Sequence, residues 1–243
     1  MRVRILGVGM GLQHVTPEVA DALRTCDYVL AADKGDDDGL LAARRAVAEA
    51  YGVELVAVRD PERDRADPAD YPAAVRDWHE ARVAAYERVL LERGGNAAFL
   101  VWGDPSLYDS TIRVVGQLAD RLPINYDVLP GISAPQLLAA RHRIVLHPVG
   151  TPVHVTTARR LHEAVAAGQT NLVVMLTGAL APADQLAGLD DWSVWWGANL
   201  GTDSEELVSG RVGDVLADLD AARARAKQAA GWVMDVLLLR APA

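Results

Sequence analysis

Short apolar runs alternate with stretches of helical periodicity along the whole chain. Val3 to Val8 is such a run and ends among Gly7, Gly9 and Gly11; Thr16-Pro17-Glu18 then opens a helix, with Thr16 suited to cap it and Pro17 to its first position. Val19, Ala22 and Leu23 supply that helix with one apolar face. The same pattern predicts strands at Tyr28 to Ala32, Val53 to Val58, Ala97 to Trp102 and Tyr126 to Leu129. Helices are predicted at Leu40 to Tyr51, about Ala73 to Arg93, Ser106 to Arg121 and Ser133 to Arg141. Residues 59–72, rich in Arg, Asp and Pro, read as an exposed loop. The alternation pauses at Ile144 to Pro152, which holds two prolines and a glycine, so the boundary is expected there, giving domains 1–147 and 148–243. Beyond it, strands are predicted at Val153 to Thr156, Leu172 to Leu176, Trp192 to Trp196, Leu207 to Val212 and Trp232 to Leu239, and helices at Ala158 to Ala167 and Asp214 to Ala229. Alternation of this kind predicts an α/β protein of two domains, each a mostly parallel or mixed sheet covered by helices.

Composition narrows the function. Half of the 243 residues are hydrophobic, enough to fill two small cores. Lys and Arg number 24 against 33 Asp and Glu, a formal charge of −9. An acidic chain without a basic cluster speaks against nucleic acid and against a polybasic membrane anchor. The single cysteine, Cys26, can form neither an internal disulfide nor a cysteine-based metal site, and no metal is expected. The first apolar run is too short for a signal peptide, and no apolar stretch approaches the roughly 18–20 residues that span a bilayer. The expectation is a soluble cytoplasmic protein.

Candidate chemistry lies in three turns. Gly7-Val8-Gly9-Met10-Gly11-Leu12 resembles a dinucleotide loop but has Leu12 at the third glycine position, and its helix starts late. Phe99 to Trp102 runs into Gly103-Asp104-Pro105-Ser106, where Asp104 could orient a ligand amine or hydroxyl, or simply cap the next helix. Pro130-Gly131-Ile132-Ser133-Ala134-Pro135 follows the next strand, with Ser133 as cap or ligand contact. Each turn alone could be a plain tight turn. Together they place three small-residue loops at one end of one sheet.

In order and spacing these turns resemble the tetrapyrrole methylase family of cobalamin and sirohaem synthesis. The likeness rests on Ile5 to Gly9, Thr16 to Val29, Val101 to Tyr108 and Leu129 to Ala134, and continues through Val173 to Leu176 and Gly197 to Thr202. Asp33-Lys34-Gly35, Tyr108-Asp109-Ser110-Thr111 and Met175-Leu176-Thr177-Gly178 resemble the subgroup that methylates precorrin-5 at C-1 and expels acetate. Two segments depart from the family: Met10 stands where a proline is usual, and Gly231 to Val236 differs from the usual last strand.

The resemblance implies S-adenosylmethionine as cofactor, with S-adenosylhomocysteine as product, held in a cleft between the two domains. Gly9, Met10, Trp102, Gly103, Asp104, Leu107, Ser133, Ala134, Met175, Leu176 and Ala198 are its implied contacts; composition alone would make Met175 and Leu176 strand core. The implied substrate is a polycarboxylate precorrin, so the site of this acidic chain must be locally basic. Lys34, Arg113 and Arg141 are the chief candidates, then His142, Arg143, Arg159 and Arg160. Asp104, Asp33 and Tyr108 are the candidates for acid–base work in acetate release, with Asp109 and His147 behind them. Family members usually form homodimers, so one is expected. Trp192, Trp195 and Trp196 are expected to fill a core or a subunit interface rather than stack on a macrocycle. Two rival readings are a dehydrogenase with a degenerate nucleotide loop and a ligand-binding module without activity.

Overall fold

The computed structural model describes residues 1–242 apart from 34, 36–38, 62–70 and 179–180. Contacts divide the chain into two units, Met1–Ile132 and Ser133–Ala243.

The first unit contains β1 (Arg2–Gly7), α1 (Pro17–Arg24), β2 (Tyr28–Asp33), α2 (Gly39–Ala50), β3 (Glu54–Arg59), α3 (Tyr71–Arg93), β4 (Asn96–Val101), α4 (Thr111–Ala119) and β5 (Asn125–Leu129). Its five strands are ordered β3-β2-β4-β1-β5, and every pairing is parallel. Side chains alternate across the sheet. Val3 and Ile5 pack with Val83, Tyr86 and Leu90 of α3 and Val114, Val115 and Leu118 of α4. Leu6 and Val8 pack with Val19, Ala22 and Leu23 of α1 and Val47 and Ala48 of α2. The chain therefore leaves the adjacent strands β1 and β4 toward opposite faces, and such a divergence opens a crevice at the strands' carboxyl ends. Thr16 caps α1 as expected, its hydroxyl accepting the Val19 N–H at 3.3 Å.

The second unit contains α5 (Ala134–His142), β6 (His154–Thr157), α6 (Leu161–Ala166), β7 (Asn171–Met175), α7 (Pro182–Gln185), β8 (Ser193–Ala198), β9 (Glu206–Arg211), α8 (Val212–Ala230) and β10 (Asp235–Arg240). Its strand order is β6-β7-β10-β8-β9. Only β6 and β7 run parallel; β10 is antiparallel to both neighbours, and so is β8 to β9. Helix α5 packs on β8 and β10. Ser133 and Gln136 cap it reciprocally, each side chain serving the other's backbone N–H.

One expectation needs correction. The helix expected from Ser106 begins only at Thr111, because Asp104 accepts the Ser106 N–H and Asp109 the Thr111 N–H, at 2.8 and 2.6 Å. These local turns compete with the helical ladder. The short α7 carries no periodicity that reveals it. The tryptophan-rich strand behaves as core: Trp196 is fully buried and Trp192 packs against the same cluster. No helix among the described residues is long and apolar enough to cross a membrane. Replacing Trp196 by alanine removes the largest buried side chain of the second core. The expected loss is about 3–5 kcal/mol, read as a lower denaturation midpoint.

Candidate active site

The three turns meet through backbone. Gly9 and Gly103 exchange both N–H···O=C bonds, at 3.2 and 2.7 Å, as an isolated antiparallel bridge. Both have positive φ, 67° and 77°. A Cβ on Gly131 would sit 2.2 Å from the Gly103 carbonyl oxygen and 2.7 Å from the Gly7 carbonyl carbon. One on Gly7 would fall 2.4 Å from the Gly131 nitrogen. Only glycine lets these segments approach so closely.

Asp104 locks the junction. Its Oδ2 accepts the Gly131 N–H at 2.9 Å, and its Oδ1 accepts both the N–H and the hydroxyl of Ser106. Partial burial opposes the charge, but the hydrogen bonds from Ser106 and Gly131 outweigh it and hold the carboxyl below the usual aspartate range. The side chain is thereby a clamp with both oxygens engaged, and a weakened base. Met10 is buried, its sulfur 3.7 Å from the point a Cβ on Gly103 would occupy, so it floors the cradle from one side. The Trp102 indole N–H is buried without a hydrogen-bond partner among the described residues.

Past this clamp the chain is strained and open. Tyr108 has φ 49° with a side chain 47% exposed. The left-handed region is uncommon for such residues and concentrates at functional sites.

Beside Tyr108 the first unit has a cavity of about 810 Å³, reaching beneath α3 and α4. Arg44, Arg59, Arg82 and Arg113 line it with His79, against Asp60 and Asp109 among the described residues. Arg82 grips Asp60 through both nitrogens, Nε to Oδ1 at 2.7 Å and Nη2 to Oδ2 at 2.5 Å, and lies over the Trp78 ring at 4.1 Å. Asp109 accepts the Thr111 N–H at the start of α4. Four arginines against two aspartates leave the described lining cationic. Burial pushes the Tyr86 phenol up to about 12, past the opposing pull of Arg82, so it stays neutral.

In the second unit, Met175 ends β7 and Leu176 follows with φ 55°, its side chain 60% exposed. Ala198 ends β8 and is wholly buried in the second core, backbone included. The Ser133 hydroxyl is taken up by the α5 cap.

The other candidates fall as follows. Asp33, at the end of β2, accepts the Gly35 N–H at 2.9 Å and lies 3.8 Å from Arg59. Arg113 reaches the cavity with Nη2 3.4 Å from His79 Nε2. Arg141 is paired with Glu205 at 2.8 Å, Arg160 with Glu163 at 2.7 Å, and Arg143 caps α5 in the left-handed region. His142 meets the Trp196 carbonyl at 2.9 Å, and His147 is exposed. Lys34 lies outside the described residues. Sequence reasoning missed the cavity: Trp78 and Arg82 are one helical turn apart on α3, but Arg44 and Asp60 come from other segments, and only the fold collects them.

The sequence matches the family model of tetrapyrrole (corrin/porphyrin) methylases over residues 2–216, and the chain belongs to that family. It is 40% identical over 250 residues to a Sinorhizobium sp protein named precorrin-6A synthase [deacetylating], covering 98% of this chain and 95% of that one. Among solved structures it is similar to a putative cobalamin synthesis related protein (CobF) from Corynebacterium diphtheriae. That match has a TM-score of 0.82 and 34% identity, over 99% of this chain and 98% of the other. A cobalt precorrin-4 methyltransferase shares the fold at TM-score 0.66 and 18% identity, over 99% of this chain and 94% of the other.

Two outcomes test the junction. Gly131→Ala is expected to push the loops apart, lowering stability by about 1–3 kcal/mol and weakening ligand binding in calorimetry. Because the Asp104 carboxyl is held low, its clamp is complete at neutral pH and is lost as pH falls through that lowered value. Asp104→Asn should therefore flatten the acid limb of the unfolding profile and leave the alkaline limb unchanged.

Proposed function

We propose that the chain is an S-adenosylmethionine-dependent C-methyltransferase of cobalamin synthesis, methylating precorrin-5 at C-1 with release of acetate to give precorrin-6A. The observation that carries the reading is the glycine cradle at the carboxyl ends of β1, β4 and β5. Its three segments meet through main-chain atoms with no room for a Cβ between them, which fixes the loops where a ligand of an open parallel sheet lies. Near-complete coverage by a 40% identical precorrin-6A synthase supports the particular reaction.

When bound, the cofactor supplies a methyl group already activated by its sulfonium. In this reading the Gly9–Gly103 bridge shapes the floor against which it lies, and Met10, Leu107 and Leu176 exclude water around it. Trp102, Ser133, Ala134, Met175 and the Ala198 region are the remaining proposed contacts. The cationic cavity takes substrate carboxylates, for which arginine forks are well shaped. Arg113 leads there. Arg141, committed to Glu205, would have to exchange partners.

Acetate release requires water to add to the acetyl carbonyl, after which the carbon–carbon bond breaks and its electron pair passes into the conjugated ring. Asp104, with both oxygens engaged and its carboxyl held low, is a poor base, and Asp33 is the proposed acceptor of the water's proton. Tyr108, left-handed and exposed, is the proposed group that orients the leaving acetate. On the resemblance we also propose a homodimer acting in the cytoplasm, the former open to light scattering.

The deciding experiment supplies precorrin-5 and S-adenosylmethionine. The product should gain one methyl, with one acetate released per turnover. Tight NAD binding with no response to S-adenosylmethionine or S-adenosylhomocysteine would overturn the proposal. Arg113→Ala should raise KM for the precorrin about tenfold or more, the value of a charge-assisted hydrogen bond, with cofactor affinity unchanged.

A further inference from the structure

The last strand ties together the loops of the second unit. β10 lies between β7 and β8. Asp235, its first residue, is in register with Ala198 at the end of β8. On the other side, Leu237 lies opposite Val174, which brings Asp235 level with Leu176. Asp235 thus sits between the two segments of this unit proposed to contact the cofactor.

Its carboxylate is 6% exposed and fully engaged. Oδ1 accepts the Thr177 hydroxyl. Oδ2 accepts the Trp196 indole N–H and the Arg223 Nε–H, each at 3.2 Å. Arg223 Nη2 also donates to the Gly178 carbonyl at 2.6 Å. One residue earlier, Met234 and Asn199 exchange two hydrogen bonds, both 2.9 Å, which tie down the turn after β8.

A buried ion pair is a poor choice for stability alone, since apolar packing of equal volume does as well or better. Here the ties converge on Thr177 and Gly178, immediately after a strained leucine that turns its side chain to solvent. A lone exposed leucine gains nothing from a left-handed backbone unless something meets it there. We propose that Asp235 is a positioning residue for methyl transfer: through Thr177 it holds Leu176 in the conformation that contacts S-adenosylmethionine. This rests on the function proposed above.

The test measures S-adenosylmethionine binding by calorimetry, with steady-state kinetics and melting, for the wild type, Thr177→Val, Thr177→Ser and Asp235→Asn. Thr177→Val is expected to bind the cofactor about tenfold more weakly, as for one lost hydrogen bond to a charged group. KM for the cofactor should rise in step, while kcat at saturation changes much less. Thr177→Ser, which keeps the hydroxyl, should restore binding at a similar melting temperature. Asp235→Asn should move in the same direction as Thr177→Val; if it does not fold, the Thr177 pair decides. Wild-type affinity in Thr177→Val, or equal loss in the valine and serine variants, would overturn the assignment. A wild-type protein that binds neither S-adenosylmethionine nor S-adenosylhomocysteine instead sinks the proposed function itself.

Discussion

The close approach of Gly7, Gly103 and Gly131 is the constraint on which the ligand-facing end of the first unit depends. Three chain segments touch there through main-chain atoms, with no room for a single Cβ between them. Contacts of this kind fix loops without using side chains. The bridge between Gly9 and Gly103 satisfies two N–H groups that a buried loop would otherwise leave unpaired. Because β1 and β4 are adjacent and send their chains to opposite faces, the junction lies where an open parallel sheet offers a crevice.

Two carboxylates do similar work in the two units. Asp104 spends its oxygens on Ser106 and Gly131, and Asp235 spends its own on Thr177, Trp196 and Arg223. Each lies within a few residues, along the chain or across the sheet, of a non-glycine residue held at positive φ: Tyr108 in one unit and Leu176 in the other. Such backbone costs about 1–3 kcal/mol and persists only where its surroundings over-determine it. In the proposal made above, the hydrogen bonds of Asp235 supply that over-determination for Leu176 through Thr177. A residue type often read as an acid or base is here mainly a clamp, and the side chains it presents are a tyrosine and a leucine.

How far the sequence could be read follows from the range of each interaction. Strands and helices were legible because periodicity and capping are local: Thr16, Pro17 and Ser133 behave as their residue types dictate. The three turns were legible for the same reason, since glycine and proline punctuate strand ends. The delay of α4 to Thr111 was not, although Asp104 and Asp109 were visible, because either residue could equally have capped a helix begun earlier. Asp235 was hidden for a different reason. Its partners come from β7, β8 and α8, and nothing in a single strand's pattern marks an aspartate as the meeting point of three elements. The antiparallel placing of β10 between β7 and β8 creates that meeting point, and strand order is not a property of any one segment.

Charge follows the same logic at larger scale. A chain of net charge −9 is an unlikely host for a polycarboxylate, if its charges are taken as evenly spread. The fold spreads them unevenly. Asp60 is paired with Arg82 and Arg59 lies 3.8 Å from Asp33, yet across the described lining of the cavity four arginines face two aspartates. In a recess with low-dielectric walls a small excess of cations acts more strongly than the same charges would on an open surface. The surplus carboxylates elsewhere lie largely on the solvent face, where water screens them. Net charge therefore describes how the molecule meets solvent, and the pairing of individual aspartates decides which anions it can hold.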